Sequence, residues 1–166
     1  MSALQAGSIA PDFSLPDCNG EMQSLSDALK KGMLLLTFFK VSCPTCQYAL
    51  PFFNRLHLAI PKSAVTLWTI SQNNPLETKN FNREFGIDLP QLFDLEEKNF
   101  PVSNAYGITH VPSSFLIRQD GSIATSSVSW DKVEFESINK QLVAAASTPD
   151  FTIFNAGERI LDYRPG

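Results

Sequence analysis

Little in this chain marks it for export, for nucleic acid or for a bilayer. It has three cysteines in 166 residues, too few for a disulfide scaffold and an odd number for full pairing. It has no excess of base: 13 Lys+Arg stand against 17 Asp+Glu, a formal net charge of −4. That balance removes the electrostatic footprint on which non-specific nucleic-acid binding depends, so no nucleic-acid partner is expected. It has no long apolar run either. The most apolar segment, 33–39, is far shorter than the ~20 residues a spanning helix needs, so no membrane partner is expected. The opening MSALQAGSIAPDFSLPD has no basic start followed by an apolar stretch, so no secretory signal is expected and the expected address is cytoplasmic. There thiols stay reduced, and a close cysteine pair is catalytic or metal-binding more often than structural. No repeat and no low-complexity tract appears.

What is present is 43% hydrophobic and 18% charged, the composition of a folded domain. Short strands over 13–15 and 21–24 flank Asp17-Cys18-Asn19-Gly20, where Asn-Gly supplies the positive φ of a hairpin turn. Residues 24–32 predict a short capped helix with lysines in its last turn and glycine at its end. The continuous apolar run 33–40 predicts a central strand covered on both faces. A helix over 44–60 follows, with Leu50, Phe53, Leu56, Leu58 and Ile60 at helical spacing and Pro51 inside it. A buried strand over 64–70, a helix over 75–85 opened by proline and closed by Gly86, a short strand within 89–95 and a short helix or turn over 100–106 come next. Residues 114–118 and 122–128 around Asp120-Gly121 predict a hairpin. Val133, Phe135, Ile138, Leu142 and Val143 are the apolar positions of a last helix over 131–145. Strands alternating with helices, then a hairpin and a helix, indicate a three-layer α/β domain over 1–146. Residues 147–166 read as an irregular C-terminal extension that either packs on the domain or frays.

The chemistry concentrates at Ser42-Cys43-Pro44-Thr45-Cys46. CxxC spacing alone says little, but this pair follows a buried strand and opens a helix, with Pro44 at the first helical position. Cys43 then faces the unpaired N–H groups and the positive end of the helix dipole. Thiols so placed have pKa values of about 3.5–7.5 rather than ~8.5. Cys46, one turn later, is placed to attack a mixed disulfide formed at Cys43. A zinc site needs two further ligands, and Cys18, His57 and His110 supply no second CxxC or HxxxH pair, so no metal or other cofactor is expected.

The strand–CPTC–helix unit resembles the thioredoxin-fold active site, and Thr109-His110-Val111-Pro112-Ser113-Ser114-Phe115-Leu116-Ile117 with Asp120-Gly121 resembles that fold's cis-proline strand and hairpin. The stretch from Ala10-Pro11-Asp12-Phe13 to Leu25-Ser26-Asp27 resembles the opening hairpin of the AhpC/TSA and TlpA/ResA-like redoxins, and 74–107 resembles their central insertion. The resemblance covers 7–146. It implies a thioredoxin-like fold in which a central mixed sheet is flanked by helices, with Cys43 as nucleophile, Cys46 as resolving thiol, and a cis Pro112 with Val111 docking substrate.

The implied activity is thiol–disulfide exchange on protein or small-molecule disulfides, recharged by a thioredoxin- or glutathione-type reductant. An atypical thiol peroxidase, with Cys43 peroxidatic and Cys46 resolving, is the alternative, and a copper chaperone on the same fold a further one. Three departures stand out. Ser42 replaces the aromatic that usually precedes the first cysteine, and Ala49 replaces the acid that TlpA/ResA-like proteins often carry after the second. Against the peroxiredoxin Pro-x-x-x-Thr-x-x-Cys motif, the proline position is Leu36 and the threonine position Lys40. Lys40, three residues before Cys43, is a candidate for lowering the thiol pKa by its charge. Cys18 reads as a surface turn thiol, His110 as a neighbour of the site, His57 as a helix-surface residue, and Trp68 and Trp130 as packing.

Overall fold

The structure is a computed structural model and describes residues 2–166. The chain enters through an antiparallel hairpin, β1 (Ser14–Pro16) and β2 (Met22–Ser24). Asp17, not an Asn-Gly pair, organises its loop. The Asp17 carboxylate accepts from the backbone N–H of Asn19 (2.8 Å) and Glu21 (3.0 Å) and from the Gln23 side chain (3.1 Å). Of the two expected turn residues only Gly20 takes positive φ (79°). The helix α1 (Leu25–Leu29) starts at a Ser24 cap whose hydroxyl accepts from the Asp27 N–H. The lysines expected in its last turn fall beyond it, and Lys30 turns back to pair with Asp27 at 2.6 Å.

The central strand β3 (Met33–Phe39) is buried as its apolar run requires: every residue from 34 to 39 is at most 1% exposed. After it come α2 (Pro44–Ala59), β4 (Val65–Ser71), α3 (Pro75–Phe85), β5 (Gln91–Phe93), α4 (Pro101–Ala105), β6 (Ser113–Ile117), β7 (Ile123–Val128), β8 (Trp130–Asp131), α5 (Lys132–Ala145) and β9 (Tyr163–Arg164). The main sheet has the order β5-β4-β3-β6-β7. It is mixed: β3, β4 and β5 run parallel, whereas β6 is antiparallel to both β3 and β7.

The two-residue alternation of β3 divides the core. Leu35 and Phe39 face one layer, with Leu50, Leu56, Phe81, Phe135 and Leu142 from α2, α3 and α5. Leu34, Leu36 and Phe38 face the other, with Leu25 of α1, Val102 of α4, and Phe13 and Leu15 beside the entry hairpin. This is the expected three-layer α/β arrangement with an N-terminal hairpin.

Three side chains depart from their expected places. Leu58 is 63% exposed and Val133 73%, because each lies on the outer side of its helix. His57, expected on the surface, is only 7% exposed; it stands four residues after Phe53 and seven after Leu50 on the inward stripe of α2. Residues 147–166 run back across the domain. Ile153 is buried, and Phe154 packs against Phe52 (5.4 Å between centroids), Phe135 and Trp130. Arg55 holds Glu158 through two 2.8 Å bonds, Leu161 N–H donates to the Tyr48 hydroxyl, and β9 pairs antiparallel with β8.

Candidate active site

β3 ends at Phe39, and the chain turns through 40–43 into α2. The turn is closed by Cys43 N–H donating to the Lys40 carbonyl, and Val41 N–H donates to the Asn73 side chain. Cys43 is the N-cap of α2 with extended backbone, and Pro44 occupies the first turn. The sulfur does what a capping oxygen does elsewhere: it accepts the Cys46 N–H at 3.2 Å. Cys43 is half-buried, whereas Cys46 is fully buried one turn in, and Cys18 is exposed in the hairpin loop.

These surroundings push the two thiols in opposite directions. Cys43 is lowered to about 6, chiefly by a hydrogen bond from the Cys46 thiol to its sulfur, against the opposing effect of burial. The backbone N–H groups of Cys46 and Thr45 add to the lowering, and so does the positive charge of Arg164. Cys46 is raised far above the ordinary thiol range, first by burial and then by its bond to Cys43. One sulfur is thereby a nucleophile near neutral pH and the other a protonated donor. Ala49, fully buried, brings no acid to Cys46.

Across from Cys43 lies the loop before β6. The Val111-Pro112 peptide is cis, as the sequence resemblance implies. In its neutral form the Cys43 thiol donates to the Val111 carbonyl at 3.2 Å. The Pro112 carbonyl accepts from Ser129 N–H at 2.8 Å, and the Ser113 hydroxyl donates to the His110 carbonyl at 2.7 Å, which hold the loop in place. A cleft of about 430 Å³ opens beside the sulfur, bordered by Lys40, Gln72, Phe100, Asn104 and His110. Lys40 thus lies at the site, with its ammonium 5.7 Å from the centre of the Phe100 ring. His110 is exposed, its Nδ1 3.0 Å from the Thr109 hydroxyl. Among the described residues no three His, Cys, Asp or Glu side chains group as a metal-holding set, and no helix is long and apolar enough to cross a membrane.

Arg164 and Gly166 are site residues that sequence reasoning missed, as are Gln72, Phe100 and Asn104 of the cleft wall. Arg164 is carried in by the β8–β9 pairing, and Gly166 lies against the Val111 backbone. Neither shows in any periodicity, because Arg164 lies in a two-residue strand and Gly166 beyond it.

Comparison with known proteins bears on the family and the fold. The AhpC/TSA family model matches residues 6–126. The thiol-disulfide oxidoreductase ResA of Geobacillus thermodenitrificans is 32% identical over 123 residues, covering 74% of this chain and 68% of that one. The protein of the same name from Bacillus subtilis is 27% identical over 122 residues, covering 73% and 66%. Among solved structures, the thioredoxin domain of a thiol-disulfide oxidoreductase from Bacteroides vulgatus superposes with a TM-score of 0.73 at 21% identity, covering 84% of this chain and 99% of that one. Peroxidoxin BcpB from Mycobacterium tuberculosis superposes with a TM-score of 0.71 at 21% identity, covering 85% and 97%. The fold is thioredoxin-like.

Proposed function

This chain belongs to the AhpC/TSA family and is a thiol–disulfide oxidoreductase, and we propose that its chemistry runs on the Cys43-Pro44-Thr45-Cys46 dithiol. The observation that carries the assignment is the opposed poise of the two sulfurs. Cys43 caps a helix N-terminus and is lowered to about 6, while Cys46 is buried and held protonated.

The Cys43 thiolate attacks one sulfur of a substrate disulfide. The substrate S–S bond breaks, and its other sulfur leaves as a thiolate that takes up a proton. Once Cys43 is in the mixed disulfide, its sulfur no longer carries the charge that opposes ionisation of Cys46. Cys46 then gives up its proton and attacks the Cys43 sulfur, releasing the second substrate thiol and leaving a Cys43–Cys46 disulfide. Two electrons have passed to the substrate, and a thioredoxin- or glutathione-type reductant returns them. The cis loop at Val111 and Pro112 docks the substrate backbone by β-type hydrogen bonds. Ionisation of Cys43 removes the proton it shares with the Val111 carbonyl and frees that oxygen for a substrate N–H.

Lys40 belongs to the proposal as a cation at the cleft, and the dithiol is proposed to work in the reducing cytoplasm on protein or small-molecule disulfides. The alternative reading is a thiol peroxidase, in which Cys43 passes through a sulfenic acid that Cys46 resolves. Insulin-disulfide reduction run beside peroxide consumption, each on wild type and Cys43→Ser, decides between them. Disulfide reduction lost in Cys43→Ser supports the reading. Peroxide turnover without disulfide reduction rejects it. Metal analysis of protein purified without chelators tests the copper-binding alternative.

A further inference from the structure

Residues 162–166 bridge the two elements between which the Cys43 sulfur lies. On one side the Thr45 hydroxyl, in the first turn of α2, donates to the Pro165 carbonyl. On the other, Gly166 N–H donates to the Ser129 hydroxyl at 2.9 Å, and Ser129 in turn binds the Pro112 carbonyl through its own N–H. Gly166 sits so close to the Val111 peptide that a Cβ on it would collide with the Val111 carbonyl. Lys132 N–H bonds to the Asp162 carbonyl at 2.9 Å and continues the β8–β9 ladder. The backbone edge assigned above to a docked peptide is therefore already covered by the protein's own chain.

We infer that residues 162–166 are a specificity element that occupies the Val111 edge in place of a peptide, so that Cys43 serves small disulfides through the cleft and a protein disulfide only after the tip of the segment lifts. The inference rests on the proposed docking role of Val111 and Pro112. The cleft that stays open, about 430 Å³, is the size of a small-molecule site. Pro165 and Gly166 are the part that can lift: both are exposed and each is held by one hydrogen bond that contributes little, while Tyr163 and Arg164 stay paired with β8 and Arg164 lies 5.7 Å from the centre of the Tyr48 ring. Upstream, buried Ile153, Phe154 among its aromatic neighbours, and the Arg55–Glu158 pair keep it tethered.

The test compares two substrates, insulin and 2-hydroxyethyl disulfide, on the full chain. Gly166→Val places a side chain against the Val111 backbone, and Ser129→Gly removes the hydroxyl that receives Gly166 N–H while suiting the positive φ (76°) at that position. In the double variant the ratio of kcat/KM for insulin to kcat/KM for 2-hydroxyethyl disulfide should rise on the order of tenfold, as for a displaced two-state equilibrium. Gly166→Ala alone should move the ratio the same way by a smaller factor, so the test survives if the double variant folds poorly. An unchanged ratio in both variants, or both substrates accelerating together, overturns the inference while leaving the dithiol reading standing. A wild type that reduces neither substrate overturns the dithiol reading and the inference with it.

Discussion

The Cys43 sulfur lies 3.2 Å from the Val111 carbonyl oxygen, so the helix that lowers the thiol's pKa and the loop proposed to dock the substrate meet at one atom pair. Protonation of Cys43 and availability of the Val111 acceptor are thereby coupled: the neutral thiol spends its proton on that oxygen, and the thiolate cannot.

The first consequence is a pH profile. Alkylation of reduced Cys43 by iodoacetamide should rise with a midpoint near pH 6, because only the thiolate reacts. Cys46→Ala removes the largest stabilising contact, the hydrogen bond from the Cys46 thiol, and should move the midpoint upward. Rates measured from pH 4 to 10 with peptide mapping check both. A wild-type midpoint at the ordinary thiol value would contradict the poise described here.

Two cations stand near the site and should differ in effect. Arg164 is the one whose charge lowers Cys43, whereas the Lys40 ammonium lies over Phe100. Arg164→Met should raise the alkylation midpoint, and Lys40→Met should raise it less. The reverse order would assign the cationic role to Lys40.

The buried imidazole of His57 gives a stability signature. Burial lowers its pKa below 6.5, with Lys62 adding to the shift and Asp88 opposing it. The folded state therefore prefers the neutral ring, and the stability this contributes is present above pH 6.5 and lost as pH falls through the folded value. Between those points stability should drop by at most ~1.4 kcal/mol per pH unit, the contribution of one proton. Urea unfolding at a series of pH values, for wild type and His57→Gln, reads it out. The difference between the two proteins should depend on pH in that window, and parallel curves would show that His57 does not titrate differently on unfolding.

Phe154 tests whether 147–166 contributes to the fold. It is half-buried against Phe52, Phe135 and Trp130, so Phe154→Ala should cost about 2 kcal/mol, less than a fully buried phenylalanine. Chemical denaturation followed by far-ultraviolet circular dichroism measures it. No change in midpoint would mean that the segment adds nothing to stability.

The parts of this molecule that were readable in advance are those set by neighbours in sequence. Strand β3 announces itself by unbroken apolarity and the N-terminus of α2 by Cys-Pro after that strand, whereas the cis Pro112 is implied only by the family resemblance, since Val-Pro by itself favours trans. What escaped depends on contacts distant in sequence or on a polar residue in an apolar register. His57 shares the inward stripe of Leu50 and Phe53, but its polarity argues for the surface. Arg164 and Gly166 reach the site only because β9 pairs with β8 some thirty residues earlier, and Arg-Pro-Gly in isolation reads as a turn.

The central claim, that Cys43 attacks and Cys46 resolves, is tested most directly by trapping. Reduced Cys46→Ala protein mixed with insulin should accumulate a mixed disulfide, located at Cys43 by mass spectrometry of the unreduced digest, while Cys43→Ala forms none and neither variant turns over. An adduct at Cys46 or Cys18, or undiminished turnover by Cys43→Ala, would contradict the account.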